Sequence, residues 1–225
     1  MKTDRQSSGN AALDHLLGGG LELRTVSQFY GSPASGKSTL CMIAAVSCLR
    51  AGRTVIFIDS EGFSIERFRQ IAGADTEKLA ELLFLFEPAD FEQQGNMIAE
   101  ADKILKTHKP GLLVMDSATA LYRTDLEKGR DAMQQLTRQM IQLLGYAKRY
   151  ELAVIITNQV YMDTTRNTFY GLGGYALEHL SKAIVRLERL SQPGLRRATL
   201  VKHRSQPEGG SFDFEIVQDG IKIKE

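Results

Sequence analysis

The feature that most constrains this chain is a glycine-rich segment, GSPASGKST, at positions 31–39. An apolar, strand-like run at 25–30 comes directly before it, and helix-like spacing at 38–49 follows it. The order glycine, four residues, glycine, lysine, serine is the Walker A pattern, whose backbone N–H groups curl around phosphates at a helix N-terminus. The segment therefore predicts a site for the phosphates of ATP, formed by Gly31, Ser32, Pro33, Ala34, Ser35, Gly36, Lys37, Ser38 and Thr39.

Two side chains of this segment carry the predicted chemistry. Lys37 is expected to reach the β- and γ-phosphates, and the Ser38 hydroxyl is expected to bind Mg²⁺. The alternative is a glycine-rich turn that matches the pattern by chance, and the flanking strand and helix argue against it. ATP and Mg²⁺ are therefore the predicted cofactors.

Strand-like and helix-like segments alternate along the chain, which is typical of a parallel sheet covered by helices. Apolar runs predict strands at 54–59, 82–86, 112–116 and 153–157. Helical spacing predicts helices at 66–72, 96–107, 131–150 and 175–180. Beyond residue 183 the segments are strand-like and separated by glycine turns. We therefore predict one α/β domain over residues 1–225, with a mostly parallel central sheet flanked by helices and an antiparallel C-terminal edge.

Composition excludes some classes of protein. The 225 residues carry a formal net charge of +1, so any nucleic-acid site must be local rather than a property of the whole surface. The N-terminus lacks the apolar run of a signal peptide, and no apolar stretch reaches membrane-spanning length, so we expect a cytoplasmic protein. Cys41 and Cys48 lie in one predicted helix, where a disulfide is geometrically poor, so we expect buried free thiols.

Polar side chains follow three of the predicted strands. Asp116 ends the run LLVMD, which places it at the carboxyl edge of the sheet as a candidate Walker B carboxylate for Mg²⁺; alternatively it caps the next turn. ATP hydrolysis needs a group that orients or deprotonates water, and Glu61 is the candidate, with Asp59 as competitor. Gln159, after the run AVIIT, is a neutral group suited to contact the γ-phosphate and report ATP against ADP, or else simply begins a loop.

Four segments occur in an order typical of one family: 7–39, FIDSEG at 57–62, LLVMDSATALYRTDL at 112–126 and VIITNQV at 154–160. Together they resemble the RecA/RadA recombinase core over nearly the whole chain, and 116–125 and 157–160 are similar to the archaeal and eukaryotic members. The resemblance implies a RecA-like P-loop ATPase fold.

The same resemblance implies roles for single residues. Lys37 and Ser38 correspond to the Walker A ligands and Asp116 to the Walker B carboxylate. The resemblance also makes Glu61, rather than Asp59, the residue that activates water, and it makes Gln159 the nucleotide sensor.

The chain departs from the full recombinases in three ways. It starts directly at the core, without the N-terminal helical domain and the polymerisation anchor, and the second DNA loop is short. The middle of the phosphate loop, 32–35, also differs. These departures resemble a core-only archaeal paralogue of DNA repair and recombination, and they argue against filament formation and strand exchange.

In the family two loops face DNA, and here they correspond to 123–138 and 161–173. The first offers cations that can neutralise phosphates, namely Arg123, Lys128 and Arg130. The second offers a cation beside aromatics that can stack on unpaired bases, namely Arg166, Phe169 and Tyr170. The alternative for each is an ordinary solvated loop.

Further positions are assigned by resemblance alone. Lys202 and Arg204 resemble groups that reach a neighbouring subunit's γ-phosphate in RecA-type and KaiC-type ATPases, or else they keep an exposed edge strand soluble. Arg67 resembles the arginine that stacks on adenine. His179 resembles a residue that links the second DNA loop to the nucleotide.

The sequence therefore favours a weak, DNA-modulated ATPase of recombination that binds single-stranded DNA, with ATP acting as a switch. The main archaeal recombinase or other recombination proteins, and a homo-oligomer of limited size, are the expected partners. The alternatives are a KaiC-like signalling ATPase that acts through protein contacts, which the stretch VKHRS at 201–205 favours, and a paralogue that binds nucleotide without turnover.

Overall fold

The computed structural model describes residues 5–163 and 168–224, without the side chains of 161–170. The described helices are α1 (Ala11–Leu16), α2 (Lys37–Arg50), α3 (Ile65–Ala72), α4 (Thr76–Ala80), α5 (Phe91–His108), α6 (Ala120–Thr124), α7 (Arg130–Tyr150) and α8 (Gly174–Leu180). The described strands are β1 (Arg5–Gln6), β2 (Leu21–Glu22), β3 (Val26–Gly31), β4 (Val55–Asp59), β5 (Leu83–Phe86), β6 (Leu112–Asp116), β7 (Ala153–Asn158), β8 (Val160–Asp163), β9 (Thr168–Gly171), β10 (Ala183–Arg189), β11 (Leu195–His203), β12 (Ser211–Val217) and β13 (Gly220–Lys224).

One nine-stranded sheet has the order β13-β12-β11-β10-β3-β7-β6-β4-β5. Neighbouring strands from β10 to β5 pair in parallel. The strands β11, β12 and β13 add an antiparallel edge beside β10. The predicted fold class, a mostly parallel sheet with an antiparallel C-terminal edge, is therefore confirmed.

Helices cover both faces of the parallel strands, which is why the central strands β4 and β6 are apolar up to their final aspartate. In β6, Leu112 and Val114 pack on the face that α2 and α3 cover. Leu113 and Met115 pack on the opposite face, against α5 and α7. The ends of these strands are consequently held by a core on each side of the sheet.

The start of α5 differs from the sequence prediction. It begins at Phe91 rather than at 96, because the Asp90 side chain caps it by accepting a hydrogen bond from the Gln93 N–H at 2.7 Å. The structure also contains a short pair, β1 with β2, and the helix α1 near the N-terminus, which the sequence reasoning did not predict.

The two stretches that were predicted as DNA loops contain regular structure. Most of 123–138 is helical, because α6 extends to Thr124, a 3-10 turn spans Leu126–Lys128 and α7 starts at Arg130. In the second stretch, β8 and β9 pair in an antiparallel ladder. The interpretation of 123–138 as a loop is therefore corrected, in part by the helix that was itself predicted from 131, and 161–173 contains a strand pair; the DNA contacts of both stretches stay predictions.

Among the described residues, no helix is both long and apolar enough to cross a membrane. Cys41 and Cys48 are free and buried in α2, as predicted. Burial raises the pKa of both thiols, that of Cys48 to about 11, so both stay protonated at neutral pH and pack as small apolar groups.

Candidate nucleotide site

The predicted site residues lie at the carboxyl ends of four strands that are consecutive in the sheet. The order β3-β7-β6-β4 puts the loop 31–36 next to Gln159, then Asp116, then Glu61. Because these strands are parallel, their carboxyl ends share one edge, which is where ligands bind in open α/β sheets. The structure therefore brings the four features together.

The phosphate loop is closely packed around its lysine. Lys37 is buried, and its Nζ donates hydrogen bonds to the carbonyls of Gly31 and Ser32, both at 3.0 Å. A Cβ on Gly31 would lie 2.0 Å from the Leu187 carbonyl oxygen, so only glycine fits there. Burial lowers the pKa of Lys37, although the nearby carboxylates act in the opposite direction.

One polar atom of this loop lacks a partner. Ser35 is fully buried, and its Oγ makes no hydrogen bond within the described part of the chain. Buried hydroxyls are normally satisfied, so an acceptor from outside the chain would complete this group. The orphaned hydroxyl and the inward-turned Lys37 fit an anionic ligand such as the phosphates of a nucleotide.

Asp116 is 2% exposed at the end of β6, and the Thr157 Oγ1 donates a hydrogen bond to its Oδ1 at 2.5 Å. Burial raises the pKa of Asp116, whereas hydrogen bonds from Ser38 and Thr157 act in the opposite direction. The peptide bond between Asp116 and Ser117 is cis. A carboxylate beside a serine hydroxyl offers the oxygen ligands that Mg²⁺ prefers, so this pair can hold the metal.

The structure distinguishes the two candidate carboxylates that follow β4. Glu61 is exposed, and the Gln159 Nε2 donates to its Oε1 at 2.9 Å. Asp59 is buried, and its Oδ1 accepts hydrogen bonds from the N–H groups of Glu61 and Gly62 at 2.8 and 2.7 Å. Asp59 therefore shapes the turn that presents Glu61, and Glu61 is the carboxylate that solvent reaches.

Sequence reasoning missed a largely buried polar network between the segment after β6, the end of β7 and the segment after β9. The Thr119 Oγ1 donates to the Asn158 Oδ1 at 2.8 Å and accepts from the Gln159 N–H at 3.1 Å. The Asn158 Nδ2 donates to the Leu172 carbonyl at 2.8 Å, and the Leu172 N–H donates to the Gln159 carbonyl at 2.8 Å. The sequence signal was present in the polar groups of TNQ at 157–159 and in the threonine of 117–119.

Arg67, predicted to stack on adenine, contacts the turn between β12 and β13. Its Nη1 donates to the carbonyls of Val217 and Gln218, and its Nη2 donates to that of Gly220, each at 2.8 Å. These bonds tie α3 to the antiparallel edge. The adenine contact stays a prediction.

Three of the four cations predicted to bind DNA are exposed. Arg123 lies in α6, Arg130 begins α7, and Lys128 donates to the Asp125 carboxylate at 2.7 Å. Arg166 lies outside the described residues.

The side chains of Phe169 and Tyr170, the two aromatics predicted to stack on bases, also lie outside the part of the chain that the structure describes. Next to that stretch, Tyr175 is 77% exposed and its ring stacks on His179 with centroids 5.4 Å apart, an aromatic surface that the sequence reasoning missed.

The two cations predicted to act across a subunit interface have partners within this chain. The Lys202 Nζ donates to the Glu178 carbonyl at the end of α8 at 2.6 Å, and Arg204 forms an ion pair with Glu22. Lys202 lies near the end of β11 and Arg204 directly follows it, at the edge of the sheet opposite to the loop 31–36. A contact in trans stays a prediction, and it would require these bonds to break.

Comparison with known proteins gives a consistent result. The family model described as Rad51 matches residues 3–224. The DNA repair and recombination protein RadB of Methanoculleus marisnigri is 63% identical over 224 residues, which is 99% of each chain. The protein of the same name from Archaeoglobus fulgidus is 44% identical over 218 residues, 96% of each chain.

A solved structure agrees with these relatives. The crystal structure described as the RadB recombinase superposes with a TM-score of 0.85 at 37% identity and covers 98% of this chain and 100% of its own. The aligned region includes the phosphate loop, the strand ends at the site and the antiparallel edge.

Proposed function

The chain belongs to the Rad51 family, among its RadB proteins of DNA repair and recombination, and from that premise we propose that it binds Mg²⁺ and ATP at the carboxyl edge of the sheet. The ATP switches its contacts with single-stranded DNA, and turnover is slow. The observation that carries the proposal is the meeting of loop 31–36, Asp116, Glu61 and Gln159 on consecutive strands. The alternative of a KaiC-like signalling ATPase is not supported, because the RadB relatives match nearly the full chain.

Each side chain has a role that follows from its surroundings. Lys37 leaves the Gly31 and Ser32 carbonyls to bind the β- and γ-phosphates, and the backbone N–H groups of residues 34–37 hold the remaining phosphate oxygens. Ser38 and Asp116 hold Mg²⁺, which neutralises charge on the phosphates. Glu61, exposed at the site, orients the attacking water and accepts its proton.

Gln159 supplies the switch. Its side chain is bonded to Glu61, while its backbone is bonded to Thr119 on one side and Leu172 on the other. A γ-phosphate that competes for the Gln159 amide therefore acts on a residue whose backbone is tied to the segment after β9. That segment is the end of the stretch 161–173 proposed to face DNA, so ATP and ADP favour different arrangements of this stretch.

The DNA contacts come from the exposed cations Arg123, Lys128 and Arg130, with Arg166, Phe169 and Tyr170 as further members. Cations without a base-reading geometry give affinity for the phosphate backbone rather than for a sequence. This suits a mediator that loads or restrains the main archaeal recombinase on single strands, as a small assembly in the cytoplasm. Arg67 at adenine and Lys202 and Arg204 at a neighbouring subunit's nucleotide belong to the same proposal.

The test compares the wild type with Lys37→Ala, using a fluorescent ATP analogue and a fluorescent single-stranded oligonucleotide. Removing a charged partner of the phosphates is expected to weaken analogue binding by about 10–100-fold. Lys78→Ala, an exposed lysine of α4, is the matched control and should bind like the wild type. A wild type that binds neither the analogue with Mg²⁺ nor the oligonucleotide at low salt would overturn the proposal.

Turnover separates the weak ATPase from a paralogue that only binds nucleotide. Phosphate release by the wild type is expected to be slow and to change when single-stranded DNA is added, and Glu61→Gln should abolish it while keeping analogue binding. Zero release with and without DNA, together with tight binding, would favour the non-hydrolysing alternative.

A further inference from the structure

The antiparallel edge of the sheet reaches the phosphate loop through one cross-strand pair. Arg196 of β11 is directly opposite Phe214 of β12, so both side chains project from the same face of that hairpin. Phe214 is fully buried, and a Cβ placed on Gly36 would lie 3.2 Å from two atoms of its ring and 3.6 Å from the Arg196 Cδ. The hairpin therefore packs directly against the end of the loop.

Arg196 also bonds to the tip of the loop. Its Nε donates to the Ala34 carbonyl at 3.0 Å, and its Nη1 donates to the Gly194 carbonyl at 2.7 Å. Residues 34 and 196 are 162 positions apart in the chain, so this is a tertiary contact rather than a local turn. The bond to Gly194 fixes the guanidinium on the turn between β10 and β11, so that the bond to Ala34 holds that residue at a set position.

Ala34 is where the loop needs such support. Its φ is +60°, the left-handed region that residues with a Cβ adopt only at a cost, and its side chain is exposed with no core to hold it. The neighbouring peptide units carry the N–H groups that cradle phosphates. A loop that can leave this conformation would present those N–H groups in the wrong directions.

We propose that Arg196 is a positioning residue for nucleotide binding, which acts by anchoring the Ala34 carbonyl and so holds the phosphate loop in its binding conformation. This inference rests on the proposed binding of ATP by loop 31–39 and adds a group from the antiparallel edge to that site. It also offers a reason why the segment 32–35 differs from that of the full recombinases, because Ala34 at its tip is held by a residue from outside the loop.

The experiment titrates the same fluorescent ATP analogue with Mg²⁺ against wild type, Arg196→Ala and Arg197→Ala. Arg197 is the matched control, since it is the next residue of β11 and pairs with Asp213 instead of the loop. Arg196→Ala is expected to weaken binding by about tenfold, and Arg197→Ala should stay within about twofold of the wild type.

A second substitution separates positioning from general destabilisation. Ala34→Gly makes the left-handed conformation accessible without an anchor. In a protein that already carries Ala34→Gly, Arg196→Ala should therefore weaken binding of the analogue by less than about threefold. A merely structural defect would not be repaired by glycine at this position. Should Arg196→Ala fail to fold, Arg196→Lys serves instead, because a single ammonium cannot bond both carbonyls in the same geometry.

The outcomes are distinct from those of the proposed function. Failure of the wild type to bind the analogue overturns ATP binding itself, whatever Arg196 does. Wild-type binding together with unchanged or tighter binding by both Arg196 variants overturns the positioning role alone. An equal loss for Arg196→Ala with and without Ala34→Gly also overturns it, because the effect would then not pass through Ala34.

Discussion

The nucleotide edge and the segment 120–130, whose Arg123, Lys128 and Arg130 are exposed, both carry charged and polar side chains, but they hold them differently. At the nucleotide edge, Thr157 bonds to Asp116 across 41 positions, and Gln159 bonds to Glu61 across 98. In the segment 120–130, Lys128 bonds to Asp125 only three positions away. One region is fixed by the tertiary fold, whereas the other is a set of solvated charges.

This difference indicates what each region can recognise. Groups that are held by distant strands keep their geometry without ligand, which suits a fixed metal–phosphate arrangement and the charge that develops in phosphoryl transfer. Exposed cations on a short helix and a 3-10 turn supply electrostatic attraction that tolerates many arrangements of a flexible strand. Substitutions should therefore have large, geometry-dependent effects in the first region and small, salt-dependent effects in the second.

The largest expected effect comes from breaking the support of Asp116. Thr157→Val removes the hydroxyl that donates to the Asp116 Oδ1 and leaves a buried carboxylate with one donor fewer. We expect the Mg²⁺ concentration that half-saturates binding of the ATP analogue to rise by about 10–100-fold, as for other residues that orient a metal ligand.

Thr137→Val is the control for that substitution. Its Oγ1 donates to the Met133 carbonyl within α7, so its loss touches no residue of the nucleotide edge. The magnesium requirement of this variant should match the wild type. A Thr157→Val protein with an unchanged magnesium requirement would contradict the view that the distant bond fixes Asp116.

The second-largest expected effect is on the free energy of unfolding of the protein without ligand, which the burial of Asp59 lowers at neutral pH. Burial raises the pKa of Asp59 to about 6, above its value in the unfolded chain, so the folded protein binds this proton more tightly. Protonated Asp59 therefore adds to the free energy of unfolding at low pH, and this contribution is lost as the pH rises from about 4 through about 6.

Asp59→Asn keeps an oxygen to accept from the Glu61 and Gly62 N–H groups but does not titrate. Allowing for the partial solvation of the site, we expect the variant to exceed the wild type by about 1–2 kcal/mol in unfolding free energy at pH 7.5. The difference should approach zero near pH 4, as measured by urea unfolding. Asp131→Asn, on the exposed start of α7, is the control, and an Asp59→Asn protein less stable at pH 7.5 would contradict the sign.

Much of the nucleotide edge was predictable from sequence. The strand that ends at Asp116 is an unbroken apolar run, and Lys37 lies in a motif with fixed spacing, so their meeting follows from the parallel order. The family resemblance then favoured Glu61 over Asp59. The structure added a physical reason, because Asp59 is used inside its own turn.

The tertiary bonds were not predictable in the same way. Threonine at 157 and arginine at 196 have no pattern that names their partners, since the bonds to Asp116 and Ala34 depend on how strands pack. The start of α5, in contrast, was predictable, because Asp90 and Gln93 form a capping pattern in the sequence. The prediction followed the helical spacing of later residues instead and so began the helix too late.

The smallest expected effect is that of a substitution in the segment 120–130. Lys128→Ala removes one exposed cation whose partner in the fold is Asp125, so the unfolding free energy should change by less than about 0.5 kcal/mol. If Lys128 neutralises one phosphate of single-stranded DNA, the slope of log affinity against log salt should fall by about 0.7. Affinity for the oligonucleotide should drop about equally for different sequences, because a phosphate contact reads no base.

The measurement is a salt titration of oligonucleotide binding for the wild type, Lys128→Ala and Lys78→Ala. Lys78 is an exposed lysine of α4 outside the segment, so its removal controls for the loss of one positive charge from the whole molecule. A fall in slope for Lys128→Ala alone supports a local contact, whereas equal falls for both variants indicate attraction to the molecule's overall charge. An unchanged slope for Lys128→Ala would remove Lys128 from the DNA surface and leave it as an ordinary solvated side chain.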